Sequence, residues 1–86
     1  MASYELVFKR SVAKDLRRLP NKDVAKLVER MHALAADPRP PGCEKLSGME
    51  RYRVRQDDYR IVYEIQQSRL IVLIVKVAHR KHVYKA

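Results

Sequence analysis

Near the start of the chain Tyr4, Leu6 and Phe8 alternate with Glu5 and Val7, a period of two that predicts a strand over about residues 3–9. The period then lengthens. Val12, Leu16 and Leu19 fall on one side of a short helix, with Ser11 in position to cap it and Pro20 to end it, since proline disfavours helical geometry in the residue before it. Asn21 reads as the N-cap of a second helix. Its Val24, Leu27, Val28, Met31, Leu34 and Ala35 form one apolar stripe, and Lys22, Lys26, Glu29, Arg30 and His32 take the polar side. Asp37-Pro38 stops it. Residues 37–49 hold three of the four prolines and both glycines and read as an ordered surface loop.

Three more strands follow, over about residues 50–56, 58–66 and 69–78. Gln56-Asp57 and Gln66-Gln67-Ser68 join them tightly, which predicts an antiparallel meander. Leu70 to Val75 is apolar on both faces and suits a central strand, so the N-terminal strand is expected beside it, covering an edge. The expected fold is α+β in a single domain, residues 1–86. Two N-terminal helices pack on one face of a four-stranded, mainly antiparallel sheet, in the order β-α-α-β-β-β.

Strand alternation sorts the side chains. Tyr52, Val54, Tyr59, Ile61, Tyr63 and Ile65 turn to the helices, as does Tyr4 on the first strand. Arg51, Arg53, Arg55 and Arg60 turn to the open face. Carried through the last strand, the same parity puts Val75, Val77 and His79 inward, with Val72, Ile74 and Lys76 outward beside Val62.

Charge sharpens the picture. Nineteen Lys and Arg against ten Asp and Glu leave a net charge of +9, which favours an anionic partner, either nucleic acid or an acidic protein. With 47% hydrophobic residues the chain has enough apolar side chains for a core, which excludes a disordered polycation. The single cysteine, Cys43, allows no internal disulfide and suits a reducing cytoplasm. Met1 to Lys9 lacks the pattern of a signal peptide, and the apolar run Leu70–Val75 is too short to span a bilayer. A soluble cytoplasmic protein without a membrane partner is expected. His79, His82 and the remote Cys43 do not make a metal-binding set, so neither metal nor cofactor is expected.

Lys45-Leu46-Ser47-Gly48, Tyr52-Arg53-Val54-Arg55, Asp58-Tyr59-Arg60-Ile61-Val62-Tyr63, Val77-Ala78-His79-Arg80 and Val83-Tyr84 follow one another at separations that resemble the RelE/ParE superfamily of bacterial and archaeal toxins. In the RelE-like branch the resemblance implies a ribosome-dependent endoribonuclease that cuts mRNA in the A site without a metal, silenced by a cognate antitoxin. Operator DNA is then reached only through the antitoxin. The functional positions implied are Arg53 and Arg55 for RNA binding, with Arg60, Arg80 and Tyr84 catalytic. The chain departs from the pattern in three places. Arg53 and Arg55 stand where some members have lysine, His82 replaces the usual acidic residue, and little follows Tyr84 to form a C-terminal helix.

The implied chemistry suits these side chains. Attack of a 2′-hydroxyl on the adjacent phosphate expels the 5′-oxygen, and needs a base, an acid and positive charge on the phosphorane. Arginine binds two phosphate oxygens and stays protonated, so it fits the third role and not that of acid. Tyr84 is the candidate base, its phenolate favoured by Arg80, Lys81 and Lys85, although a tyrosine here also suits base stacking or anchoring the chain end. His82 is the candidate acid, and His79, with inward parity, is expected to be structural. Arg17 and Arg18 read as a solvated helix end, or, together with Lys9, Arg10 and Lys14, as a contact for ribosomal RNA. Two other functions compete: a ParE-like inhibitor of DNA gyrase, and a basic nucleic-acid-binding module without catalysis.

Overall fold

The computed structural model of the chain describes residues 3–46 and 50–79. Its elements run β1 (Glu5–Phe8), α1 (Arg10–Arg17), α2 (Asn21–Ala36), β2 (Glu44–Leu46), β3 (Arg51–Gln56), β4 (Tyr59–Gln66) and β5 (Ile71–His79). The sheet is five-stranded and mixed, in the order β1-β5-β4-β3-β2. β1 lies parallel to β5, and every other pairing is antiparallel. The expected meander and the β1–β5 neighbourhood are therefore present. The expectation of four strands was one short, because β2 lies within the segment read as loop. Its three residues pair with Arg51, Tyr52 and Arg53.

The helix ends also differ from expectation. α1 starts at Arg10 with Lys9 as N-cap, and α2 starts at Asn21 with Pro20 as N-cap; neither cap makes a side-chain hydrogen bond. Ser11 and Asn21 thus sit inside their helices. Pro20 is the better reading of that junction, because a fixed φ and a missing N–H cost nothing at a helix entrance.

Both helices pack on one sheet face. α2 buries Leu27, Met31, Leu34 and Ala35, while α1 buries Val12 against β5. Tyr52, Val54, Tyr59, Ile61, Tyr63 and Ile65 meet them from β3 and β4, as expected. The Tyr63 hydroxyl donates a 2.6 Å hydrogen bond to the carbonyl of Pro38, which fastens the segment after α2 to the sheet. Burial pushes the Tyr63 phenol well above its ordinary pKa, so this bond keeps its proton.

The last strand corrects the parity argument. The β4–β5 register shifts between Val62 and Tyr63: Val62 lies opposite Lys76, but Tyr63 lies opposite Ile74. One extra residue on β5, Val75, absorbs the shift, as in a β-bulge. Val72 and Ile74 consequently face the helices, both at 0% exposure, and are not outward. Beyond the bulge Val77 and His79 still turn inward and Lys76 outward. Val62 is on the open face as expected, yet it is buried at 2%.

This register makes a direct prediction. Ile74→Ala should lower the unfolding free energy by about 2–5 kcal/mol, as for a core truncation. Leu73→Ala, half-exposed on the other face, should cost clearly less. Urea titrations of both variants decide it; equal costs would contradict the register.

Candidate nucleic-acid interface and active site

Strand pairing fixes which side chains meet on the open face. Asp57 and Asp58 close a two-residue hairpin, with Asp57 at φ 54°, a left-handed geometry that aspartate tolerates. That turn sets Gln56 opposite Tyr59 and Arg55 opposite Arg60. Two arginines therefore leave the sheet from directly opposed positions, and β5 adds the small Ala78 opposite Arg60. One row along, Glu44, Arg53, Val62 and Lys76 lie across four strands. In the next, Arg51 faces Glu64.

The cations on this face are not equivalent. Arg53 is 3.0 Å from the Glu44 carboxylate, Lys76 is 3.5 Å from Asp15 of α1, and Arg51 is 3.9 Å from Glu64. Among the described residues neither Arg55 nor Arg60 makes a salt bridge. Directly opposed like charges destabilise a strand pair, and two arginines so placed suit a phosphate. Arg55 and Arg60, with Asp57, Asp58 and Tyr59, border a hollow of about 210 Å³.

A second cleft, of about 450 Å³, opens where β1 ends and α1 crosses the edge of β5. Asp15, Arg18, Leu19, Tyr59, Lys76, Val77, Ala78 and His79 line it. Tyr59 bounds both hollows. Its hydroxyl donates to Asp23 at 2.9 Å, and this bond to a carboxylate raises the phenol pKa, so Tyr59 is held protonated. The Tyr59 ring also meets the half-buried His79 edge-on, with centroids 5.3 Å apart. His79 thus has the structural contact expected of it.

Of the residues singled out in the sequence, Arg53, Arg55 and Arg60 share the open face. Arg80, His82 and Tyr84 lie outside the described residues. Two partners were missed. Glu44 was missed because its strand reads as loop, and Asp15 because a single carboxylate on a short helix looks solvated. The signal for Asp15 was its place on the α1 side that carries Leu16 and Leu19.

Comparisons with known proteins agree on the fold. A family model described as ParE toxin of type II toxin–antitoxin system, parDE, matches residues 6–84. A Methanocaldococcus jannaschii protein assigned as the toxin RelE1 is 32% identical over 78 residues, covering 86% of this chain and 87% of the relative. Among solved structures, the RelBE2 toxin–antitoxin complex from Mycobacterium tuberculosis superposes with a TM-score of 0.82 at 28% identity, over 93% of this chain and 94% of the other. The intact Escherichia coli RelBE toxin–antitoxin complex gives 0.78 at 25% identity, over 90% and 96%.

The unequal pairing has a measurable consequence. Arg60→Gln should leave thermal stability unchanged or raise it by a few tenths of a kcal/mol, since it relieves the opposed charges. Arg51→Gln, which removes the partner of the partly buried Glu64, should lower it by about 0.5–1 kcal/mol. Calorimetry comparing the two would refute the arrangement if Arg60→Gln were the more damaging.

Proposed function

The chain belongs to the ParE toxin family of type II toxin–antitoxin systems, and on that premise we propose that it is a RelE-like endoribonuclease that cleaves mRNA in the ribosomal A site. The observation that carries this reading is the Arg55–Arg60 pair, two arginines at directly opposed positions on an open sheet face that make no salt bridge among the described residues. They grip a phosphodiester from one side, and positive charge there stabilises the phosphorane formed as the 2′-hydroxyl attacks and the 5′-oxygen leaves. Arg53, tied to Glu44, steers the backbone once RNA displaces the carboxylate. Arg80 adds charge and Tyr84 takes the 2′-hydroxyl proton, two roles that rest on the family pattern, and His82, which departs from that pattern, supplies the proton to the leaving oxygen on the ground of its imidazole chemistry.

A cognate antitoxin is the expected partner, since the M. tuberculosis and E. coli neighbours are themselves toxin–antitoxin complexes. The apolar surface available to it differs from expectation, because Val72 and Ile74 are core. Val7, Ile71 and Leu73 are the half-buried apolar residues that β1 and β5 turn to the open face. The matching family model bears the name of ParE, which keeps gyrase inhibition as the second reading. An opposed arginine pair that costs stability gives a gyrase inhibitor no evident benefit and a nuclease its phosphate clamp.

Two substitutions test the proposal. Arg60→Ala should reduce cleavage on programmed ribosomes by on the order of 10²–10³ while the fold persists. Tyr84→Phe keeps the ring and deletes the proton acceptor, so A-site binding should persist while single-turnover cleavage falls by roughly 10²–10⁴. Full activity in a folded Arg60→Ala protein would refute the site. A near-normal rate for Tyr84→Phe would remove tyrosine as the base and leave the nuclease assignment standing.

A further inference from the structure

Arg51, Arg53 and Arg55 alternate along β3 onto the open face. Side chains two positions apart leave a strand about 6.5–7 Å from one another. That step is close to one nucleotide of an extended single strand. Phosphates carry no sequence information, so three equal cations at this spacing would hold the backbone equally well in several registers. A cut at one place requires the three to be unequal. Arg53 Nη2 donates a 3.0 Å hydrogen bond to Glu44, and Arg51 lies 3.9 Å from Glu64. Arg55 makes no salt bridge among the described residues.

Glu44 belongs to β2, which has three residues and closes one edge of the sheet. The strand register sets it directly opposite Arg53. The Glu44 side chain is 57% exposed, and an ion pair so open to solvent contributes little stability. Its effect falls instead on Arg53. The guanidinium fork that binds a carboxylate also binds phosphate, so the two anions compete for it. A phosphate at Arg53 must first break the contact with Glu44, whereas a phosphate at Arg55 and Arg60 offsets their opposed charges. Both effects favour the same site.

We propose that Glu44 is a positioning residue that fixes the register of the RNA strand on the sheet. By withholding Arg53 it makes Arg55 and Arg60 the first phosphate site, and Arg53 then engages only the neighbouring phosphate. The consequence rests on the nuclease reading: the strand is cut at one phosphodiester and not at the next. The withholding of Arg53 is measurable without cleavage.

The test compares wild type with Glu44→Gln and with Glu29→Gln, which removes the same charge at an exposed position on α2. Binding of a single-stranded RNA of about 12 nucleotides is measured against salt concentration. The slope of log Kd against log salt should steepen by about 0.7 in Glu44→Gln, as one more phosphate is neutralised, and stay unchanged in Glu29→Gln. Affinity at low salt should rise about three- to tenfold in Glu44→Gln alone. In an Arg53→Gln background that gain should vanish to within about twofold, since the two residues act as a pair. On programmed ribosomes Glu44→Gln should add RNA ends displaced by one nucleotide, an effect that a merely structural Glu44 would not produce. Equal affinity and slope in wild type and Glu44→Gln overturn the proposal, as does a gain that persists without Arg53 or appears in Glu29→Gln. Ends that stay in place while the slope steepens overturn the role in register. Normal cleavage with an unmoved slope keeps the nuclease reading and removes Glu44. An Arg53-dependent gain in a protein that cleaves no RNA supports the hold of Glu44 on Arg53 and removes the nuclease reading.

Discussion

The register shift between Val62 and Tyr63 is the constraint on which the rest of the sheet depends. β5 must bury Val72 and Ile74 beside β1 and Val77 beneath α1, and these positions do not share one strand parity. A uniform ladder that kept Val72 and Ile74 inside would also drive Lys76 into the core, where an uncompensated ammonium is far more costly than a bulge. With Val75 as the extra residue, both halves of the strand bury apolar side chains. Lys76 stays on the open face, within reach of Asp15. The same shift sets Ala78, and not a bulkier residue, beside Arg60.

Two kinds of electrostatics then divide the surface. Arg51, Arg53 and Lys76 each have a carboxylate nearby, and such half-exposed pairs contribute little stability and mainly fix where side chains point. Among the described residues Arg55 and Arg60 make no salt bridge, and neither do the cations of α1. Unpaired cations on a chain with a charge of +9 are a standing cost that the core must offset. They mark where an anionic ligand completes the charge balance, and they lie on two surfaces that meet at the cleft lined by Arg18 and Ala78.

Much of this was legible in the sequence, for identifiable reasons. The apolar stripe of α2 and the alternation in Arg51–Gln56 and Tyr59–Ile65 are strong periodic signals, and the two-residue turn at Asp57-Asp58 fixes the arginine register. β5 was legible as a strand but not in its parity, because Leu70 to Val75 is apolar at every position and offers no contrast from which to read a face. β2 is too short for any period to show, and its pairing is decided by the neighbouring β3. The helix starts moved by two residues in α1 and by one in α2 because packing of Val12 and a proline at the entrance of α2 outweighed side-chain capping. Arg80, His82 and Tyr84 were legible only through the family pattern.

The central claim is that the open face cuts RNA. Its most direct test is to map RNA ends genome-wide after a short pulse of expression, with plasmid supercoiling measured in the same cells. The account predicts new ends inside translated coding regions, bearing 2′,3′-cyclic phosphates, absent from a transcript whose start codon is destroyed, with supercoiling unchanged at that time. Intact messages together with relaxed plasmid DNA would contradict it and identify the chain as a gyrase inhibitor on the same fold.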